Sequence, residues 1–441
     1  MRTGLDLSRG YGIVLEGGGA RGSYQVGAWK ALREAGILIK GIAGASVGAL
    51  NGAMICMDDL ERAEHIWEEI CYSRVMDVDD DLMDSLKKRD LKSIAIPELL
   101  ADIRRVLKDR GFDITPLRKL IQETIDEERI RASQRELFVS AISLSELKPL
   151  VIDLKETPEG EMGDMLLASA YLPAFKLEKL GGKLYLDGGG VNNVPIDVLA
   201  DRGYQDIIVI RIYGPGLDTE KYYTVPEGVT VHHIAPRQSL GGILEFDKKK
   251  ARRNMELGYL DGQRLLYGLA GKRYYIDAPE SEVYYFDRLM TESGYLLPEL
   301  EQALGQKKRQ KPDQALGQNA GQALGQNADQ ALGQNAGLAL GQNAGLALGQ
   351  SAGQTPEEQT QRQKLWQLFK DLGRPEGPDR PGCRMYTEKI FPQLAKEMGL
   401  KEDWDYRELY LSIIEQLARK HRISRFKVYT VEALLSKLRK M

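Results

Sequence analysis

The sequence is poor in cysteine and histidine, and this scarcity excludes several classes of protein. Its 441 residues include only three cysteines and four histidines. Cys56, Cys71 and Cys383 match no zinc or redox spacing, and three thiols cannot all pair with one another. We therefore expect a chain from a reducing compartment, without a disulfide framework, a metal site or another cofactor.

The chain also lacks a strong excess of charge and a long hydrophobic run. Its net charge of −3 favours neither nucleic acid nor an anionic membrane as a partner. The most apolar stretch, 41–57, is marginal in length for a membrane span, so we interpret it as a strand end, a turn and a core helix. The first residues show no charged segment followed by an apolar one, so no secretory signal is expected. These absences favour a cytoplasmic protein without a nucleic-acid partner or a transmembrane helix, and they leave peripheral contact with a membrane open.

Hydrophobic patterning predicts an α/β domain over residues 1–300. A strand pattern at 11–15 precedes a helix pattern at 24–35, and a second strand at 37–43 precedes a helix at 47–57. Such alternation predicts a mainly parallel sheet that is covered by helices. Further predicted elements are strands at 137–144, 150–154, 183–187 and 206–213, a charged and mainly helical insertion at 71–131, and a helix at 246–267.

Composition changes abruptly after this domain. In 315–354 a unit of eight residues with the core Ala-Leu-Gly-Gln repeats, and a further copy of that core begins at Ala303. Because every unit contains glycine and few apolar side chains, a stable helix or a packed core is disfavoured. We interpret residues 301–355 as a flexible linker. Residues 356–441 carry three apolar helical stripes, at 365–372, 409–417 and 431–438. They predict a small α-helical domain whose role and protein partner are unknown.

A glycine-rich loop lies between the first predicted strand and helix. It consists of Gly17, Gly18, Gly19, Ala20, Arg21 and Gly22. Glycines let the backbone approach an anion closely, and the helix N-terminus adds unpaired N–H groups and a positive dipole end. The loop can hold a phosphate or stabilise a transient oxyanion. Arg21 is interpreted either as a contact for this loop or for a lipid phosphate, or as a surface arginine at the helix start.

Two further motifs point to ester chemistry. Ser46 stands in a G-x-S-x-G pattern between a predicted strand and a helix, with neighbours Gly44, Ala45, Val47 and Gly48. This is the context of a nucleophile elbow, in which a sharp turn exposes the serine and the next N–H joins an oxyanion hole. Asp187, Gly188 and Gly189 follow another predicted strand, but this motif by itself fits a tight turn equally well.

In this order and spacing the three motifs resemble those of the patatin-like phospholipase family, namely G-G-G-x-[RK]-G, G-x-S-x-G and D-G-[GA]. The segment 168–175, Ala-Ser-Ala-Tyr-Leu-Pro-Ala-Phe, also resembles the family segment that precedes the aspartate. The resemblance covers roughly residues 10–300. It implies a patatin-like three-layer sandwich and a lipid acyl hydrolase acting on phospholipids or related acyl lipids. It further implies that Ser46 is the nucleophile and Asp187 its base, with an acyl-enzyme intermediate and an oxyanion hole in the loop from Gly17 to Gly22.

Three alternatives stay open at this point. The glycine-rich loop also fits a dinucleotide fingerprint, which the missing acidic residue after the second strand disfavours. A Ser-His-Asp triad would use His232 or His233, which lie in a strand-like run. In a third alternative the domain is a catalytically idle lipid-binding scaffold, and the intact Ser46 and Asp187 speak against it.

Overall fold

A computed structural model describes residues 4–81, 83, 111–172, 174–306, 364–365, 367 and 384–440. The chain divides into two compact units. The first comprises Met1–Asp277 with Arg425–Tyr429, and the second comprises Ala278–Ser424 with Thr430–Met441. The repeat array at 315–354 lies outside the described residues, so the linker and the division into three parts stay predictions.

Strands and helices alternate along most of the first unit. Its strands are β1 (Gly10–Leu15), β2 (Leu38–Ala45), β3 (Glu136–Ser143), β4 (Lys148–Asp153), β5 (Tyr185–Asp187), β6 (Asp206–Ile210), β7 (Thr230–Ile234) and β8 (Tyr275–Asp277), and β9 (Val428–Thr430) begins in it. Its helices are α1 (Ser23–Glu34), α2 (Val47–Met57), α3 (Leu60–Glu68), α4 (Thr115–Thr124), α5 (Glu127–Ala132), α6 (Met162–Ser169), α7 (Ile196–Ala200) and α8 (Lys248–Tyr267).

The main sheet is mixed but mostly parallel. Its strand order is β4-β3-β2-β1-β6-β7, and β5 also pairs with β3. The pairs β1–β2, β1–β6, β2–β3 and β6–β7 are parallel, whereas β4 and β5 run antiparallel to β3. The expectation of a mainly parallel central sheet is therefore confirmed.

Helices cover both faces of this sheet. Ile13 and Leu15 point into a large core that includes buried residues of α1, α2 and α8. Val14, between them, points into a second core that includes α7 residues such as Leu199. This alternation along β1 is what a strand buried on both faces requires. The result is the expected three-layer α/β sandwich.

Most predicted elements appear, with boundaries shifted by a few residues. The helix predicted at 246–267 begins at Lys248 because the Asp247 side chain accepts a hydrogen bond from the Lys250 amide and caps it. The strand predicted at 206–213 ends at Ile210. The insertion at 71–131 is described only in part, and there it contains α4 and α5.

The second unit is helical. It contains α9 (Glu282–Gln306), a π-helical turn (Tyr386–Ile390), α10 (Phe391–Glu397), α11 (Tyr406–Lys420) and α12 (Val431–Arg439). Helix α9 continues past residue 300, so the copy of the repeat core at Ala303 forms its last residues. The stripes predicted around residues 409–417 and 431–438 are the buried faces of α11 and α12, whereas most of the stripe at 365–372 lies outside the described residues. Across the described residues, no helix combines the length and apolarity needed to cross a membrane.

Candidate active site

Ser46 lies in a strained turn at the carboxyl end of β2. Its backbone has φ 54° and ψ −126°, a conformation that is uncommon for a residue with a side chain. Helix α2 begins at the next residue. The turn is tight because Gly44 lies against the backbone of Gly48, and a Cβ at Gly44 would be 2.5 Å from the Gly48 carbonyl carbon. This is the nucleophile-elbow geometry that the G-x-S-x-G motif predicts.

Strand β3 brings Asp187 to this turn. β2 pairs with β3 up to Ala45 opposite Ser140, and β5 pairs with β3 from Asp187 opposite Ala141. Because β4 pairs along the same stretch of β3, β2 and β5 share the remaining edge and approach each other end to end. Because β2 runs parallel and β5 antiparallel to β3, the ends of the two strands that carry Ser46 and Asp187 meet, and the two residues lie side by side.

The two side chains are in direct contact. Ser46 Oγ donates a hydrogen bond to Asp187 Oδ2 over 2.5 Å. The other carboxylate oxygen, Oδ1, accepts from the Gly189 amide over 2.7 Å, and the Asp187 amide donates to the Tyr171 carbonyl over 2.9 Å. Burial raises the pKa of Asp187 from 3.8 to about 6, against the lowering effect of the hydrogen bonds from Ser46 and Gly189. The carboxylate is therefore a stronger base than an exposed aspartate.

The glycine-rich loop lies beside Ser46. Gly19 has φ 55°, and a Cβ there would collide with the Ile243 carbonyl oxygen. The Gly17 amide donates to the Asn193 carbonyl over 3.2 Å, and the Ala20 amide donates to the Ile243 carbonyl over 2.7 Å. Within the described part of the chain, the amides of Gly18 and Gly19 donate to no acceptor. These two N–H groups are free to meet an anion beside the serine.

Arg21 holds the loop rather than facing open solvent. Its Nε donates to the Gly241 carbonyl over 2.8 Å, and its Nη1 donates to the carbonyls of Ile212 and Tyr213. Burial lowers the pKa of the guanidinium group. Of the interpretations of Arg21, this geometry favours loop positioning.

Three further polar residues support the site, and sequence reasoning assigned no role to them. Ser169 Oγ accepts from the Ser46 amide over 3.0 Å and so fixes the elbow. Asn193 is 2% exposed. Its backbone carbonyl accepts a hydrogen bond from the Gly17 amide, and its side-chain Nδ2 donates to the Gly17 carbonyl over 3.3 Å. Glu16 lies directly before the loop and binds Arg211 over 3.0 Å. Ser169 belongs to the segment 168–175, whose family resemblance was the one available signal.

An apolar cavity opens at Ser46. It has a volume of about 100 Å³, and its lining includes Ser46, Gly19, Leu172 and Phe175. It is therefore narrow beside the roughly 300–1,000 Å³ that is typical of small-molecule sites. The cavity can accept a hydrocarbon group whose polar end lies at the serine.

The two candidate histidines have other partners. His233 Nε2 lies 3.0 Å from Glu220 Oε1, and His232 Nε2 lies 3.9 Å from Asp206 Oδ1. Both are on β7, and neither contacts Ser46 or Asp187 among the described side chains. The structure brings Ser46 and Asp187 together without them.

The described residues also contain no group of three or more His, Cys, Asp or Glu side chains that could hold a metal ion.

Comparisons with known proteins match the part of the chain in which these residues lie. The model of the family described as patatin-like phospholipase matches residues 13–200. This segment is a patatin-like phospholipase domain. It contains Ser46, Asp187 and the whole glycine-rich loop.

Curated relatives match the same part of the chain. The neuropathy target esterase sws of Drosophila melanogaster is 28% identical over 201 residues, which are 46% of this chain and 13% of that protein. The lysophospholipase nte1 of Aspergillus terreus is 60% identical over 50 residues, 11% of this chain and 3% of its own. The patatin-like phospholipase domain-containing protein 7 of Rattus norvegicus is 27% identical over 206 residues, 45% and 13% of the two chains. The chain thus spans a small fraction of the length of these relatives.

Among solved structures, VipD from Legionella pneumophila aligns with 92% of this chain and 90% of its own. Its TM-score is 0.37 and its sequence identity is 13%. Residues that contact the glycine-rich loop also lie outside the segment that the family model matches. Gly241 and Ile243, which hold the glycine-rich loop, lie beyond residue 200. Residues after the matched segment therefore complete the site.

Proposed function

We propose that this chain is a serine acyl hydrolase that cleaves fatty-acyl esters of phospholipids or related lipids. The observation that carries the proposal is the hydrogen bond of 2.5 Å from Ser46 Oγ to Asp187 Oδ2 at the opening of an apolar cavity. Membership of residues 13–200 in the patatin-like phospholipase family supports the same chemistry. A cytoplasmic location and peripheral contact with a membrane stay predictions.

The reaction begins with proton transfer. Asp187 takes the proton from Ser46 Oγ, and the oxygen attacks the ester carbonyl carbon to form a tetrahedral intermediate. The carbonyl oxygen becomes an oxyanion, which the amides of Gly18 and Gly19 stabilise together with the Val47 amide at the start of α2. Removing one such donor from a comparable hydrolase costs about 2.7–4 kcal/mol of transition-state stabilisation.

The intermediate then collapses to an acyl-enzyme. Asp187 returns its proton to the leaving alcohol, and the acyl group stays bonded to Ser46. Asp187 next takes a proton from water as the water oxygen attacks the acyl carbonyl. It returns that proton to Ser46 Oγ when the bond between the acyl carbon and Ser46 breaks and the fatty acid is released. Because the pKa of Asp187 is about 6, most of this carboxylate is ionised at neutral pH and ready to accept the proton.

Active-site labelling tests this proposal. A fluorophosphonate probe should label the wild-type chain at Ser46, and Ser46→Ala should abolish both the labelling and the release of fatty acid from phosphatidylcholine vesicles. Absence of labelling in the folded wild-type chain would favour a catalytically idle lipid-binding scaffold. Equal labelling of Ser46→Ala would place the nucleophile elsewhere.

A further inference from the structure

The cavity at Ser46 is a channel between three helices. Each helix contributes one face with helical spacing. These helices supply most of the lining, namely Val47, Leu50, Asn51 and Met54 of α2, Ala63, Ile66 and Trp67 of α3, and Leu117, Leu120, Ile121 and Thr124 of α4. Along each helix the lining side chains follow the spacing i, i+3, i+4 and, in α2 and α4, i+7, so they lie on one face of that helix.

Trp67 lies at the end of the channel that is nearest to Ser46. Its Nε1 donates to Asn51 Oδ1 over 3.1 Å, and a Cβ at Gly22 would lie 2.9 Å from its ring. Gly22 closes the glycine-rich loop, and Val47 follows Ser46. Trp67, near the end of α3, therefore marks the catalytic end.

The far end lies where α2 ends and α3 begins. Arg62 donates to the Thr124 carbonyl over 3.1 Å, and the Asp126 amide lies 3.3 Å from Met57 Sδ. These contacts bring the start of α3, the end of α4 and the end of α2 together. Met54 and Ala63 line the channel there, and both are buried, at 4% and 1% exposure.

The chemistry of the lining fits a hydrocarbon chain. Asn51 is the most polar side chain in it, and its groups are already bonded to the Gly22 carbonyl, Gln25 and Trp67. The channel therefore offers little to a polar ligand. Met54 follows Ser46 by eight positions along α2, which is about 12 Å at the ~1.5 Å rise of a helix.

We propose that this channel holds the acyl chain of the substrate along α2, and that Met54 and Ala63 at its far end set the preferred chain length. This inference rests on the proposed function, because it assumes that the acyl carbonyl is placed at Ser46. The methyl group of Ala63 leaves space that a larger side chain would occupy. A larger residue there shortens the channel, and a smaller residue at position 54 lengthens it.

Chain-length profiles test the inference. We expect Ala63→Phe to lower kcat/KM for p-nitrophenyl decanoate relative to butyrate by about tenfold or more, since each buried methylene contributes about fourfold to binding. Ala63→Leu should give a smaller change in the same direction, and Met54→Ala should shift the preference towards longer chains. His65→Phe is the matched control, because His65 is exposed on the same helix and lines no part of the channel; it should keep the wild-type profile.

Binding separates this inference from the proposed function. In a Ser46→Ala background, titration calorimetry with butyrate and decanoate should show tighter binding of decanoate, and Ala63→Phe should remove that preference. If the wild type hydrolyses no ester but this binding pattern holds, the proposed function fails and the channel assignment stands. If folded Ala63→Phe, Ala63→Leu and Met54→Ala all keep the wild-type hydrolysis and binding profiles, the channel assignment is overturned.

Discussion

Two buried carboxylates flank the glycine-rich loop, and their surroundings differ. Glu16, 2% exposed, accepts hydrogen bonds at Oε2 from the Arg211 guanidinium and from the amides of Ile212 and Tyr213. Asp187 accepts from Ser46 and from the Gly189 amide, and among the described side chains it pairs with no cation. Burial raises the pKa of both carboxyl groups, but only at Glu16 does a guanidinium oppose that rise.

The contrast distinguishes a carboxylate that stabilises the structure, Glu16, from the one that we propose as the base, Asp187. Glu16 is surrounded by donors, and two of them are the amides of Ile212 and Tyr213, whose carbonyls accept hydrogen bonds from Arg21. The bonds of Glu16 therefore hold residues 212–213 beside the glycine-rich loop. Asp187 has fewer donors, and one of them is the nucleophile itself. A buried carboxylate that lacks a cation and contacts a serine hydroxyl is arranged to accept a proton.

The largest expected effect is on catalysis at Asp187. Asp187→Asn should lower kcat by about 10⁴-fold, as removal of the orienting carboxylate does in a serine triad. The ionised form of Asp187 is penalised in the folded chain at pH above about 6, and that penalty disappears as the pH falls towards 3.8. The variant should therefore also be more stable at pH 8, by up to about 3 kcal/mol.

Steady-state kinetics and urea unfolding at pH 8 and pH 5 measure the two effects. The gain in stability should shrink at the lower pH, where Asp187 of the wild type becomes protonated. A variant that is inactive because it is unfolded would give neither the cooperative transition nor the gain. Activity within tenfold of the wild type would remove Asp187 from the mechanism.

The opposite result is expected at Glu16. Glu16→Ala leaves the Arg211 guanidinium and two buried amides without their acceptor, so the free energy of unfolding should fall by about 3–5 kcal/mol. Urea denaturation at neutral pH measures the change. Glu64→Ala is the control: its ion pair with Lys30 is partly exposed, with N and O 2.8 Å apart, and its loss should cost about 0–1 kcal/mol. Equal losses in the two variants would contradict a special role for Glu16.

The contrast also shows how far the sequence could predict the site. Ser46 was predictable from local physics, because a strand, small residues and a helix surround it within a few positions. Asp187 was predicted through family resemblance, since its approach to Ser46 depends on β2 and β5 sharing one edge of β3. That pairing joins residues 141 positions apart in the chain and leaves no local pattern.

The supporting residues were beyond sequence reasoning for the same reason. Glu16 and Asn193 act through backbone groups of Gly17, Ile212 and Tyr213, which any residue would present. The mainly parallel sheet could be predicted because its strands alternate with helices of clear periodicity. The end of β6 at Ile210 could not, because Ile212 and Tyr213 extend the apolar pattern beyond Arg211 while the strand pairing stops.

A smaller and graded effect is expected from pH. If Asp187 is the base, kcat/KM should be constant above about pH 7 and fall about tenfold for each unit well below pH 6, because only the ionised carboxylate accepts the proton. Hydrolysis of a soluble ester between pH 4 and 8 gives the profile. A midpoint near 3.8 would mean that the base is not buried, and a basic limb near neutral pH would suggest a different group.

The smallest effect is expected from the histidines. His232→Gln and His233→Gln, singly and together, should change kcat/KM by less than about twofold, because a general base in the Ser-His-Asp mechanism must lie within hydrogen-bond reach of the serine. Their imidazoles instead face Asp206 and Glu220. Loss of the Glu220 contact should appear as a small change in thermal stability, since the pair is partly exposed. Near-complete loss of esterase activity in a folded double variant would replace the dyad with a triad. Retained activity with the pH midpoint still near 6 would assign the titration to Asp187, because no histidine would then stand between it and the serine.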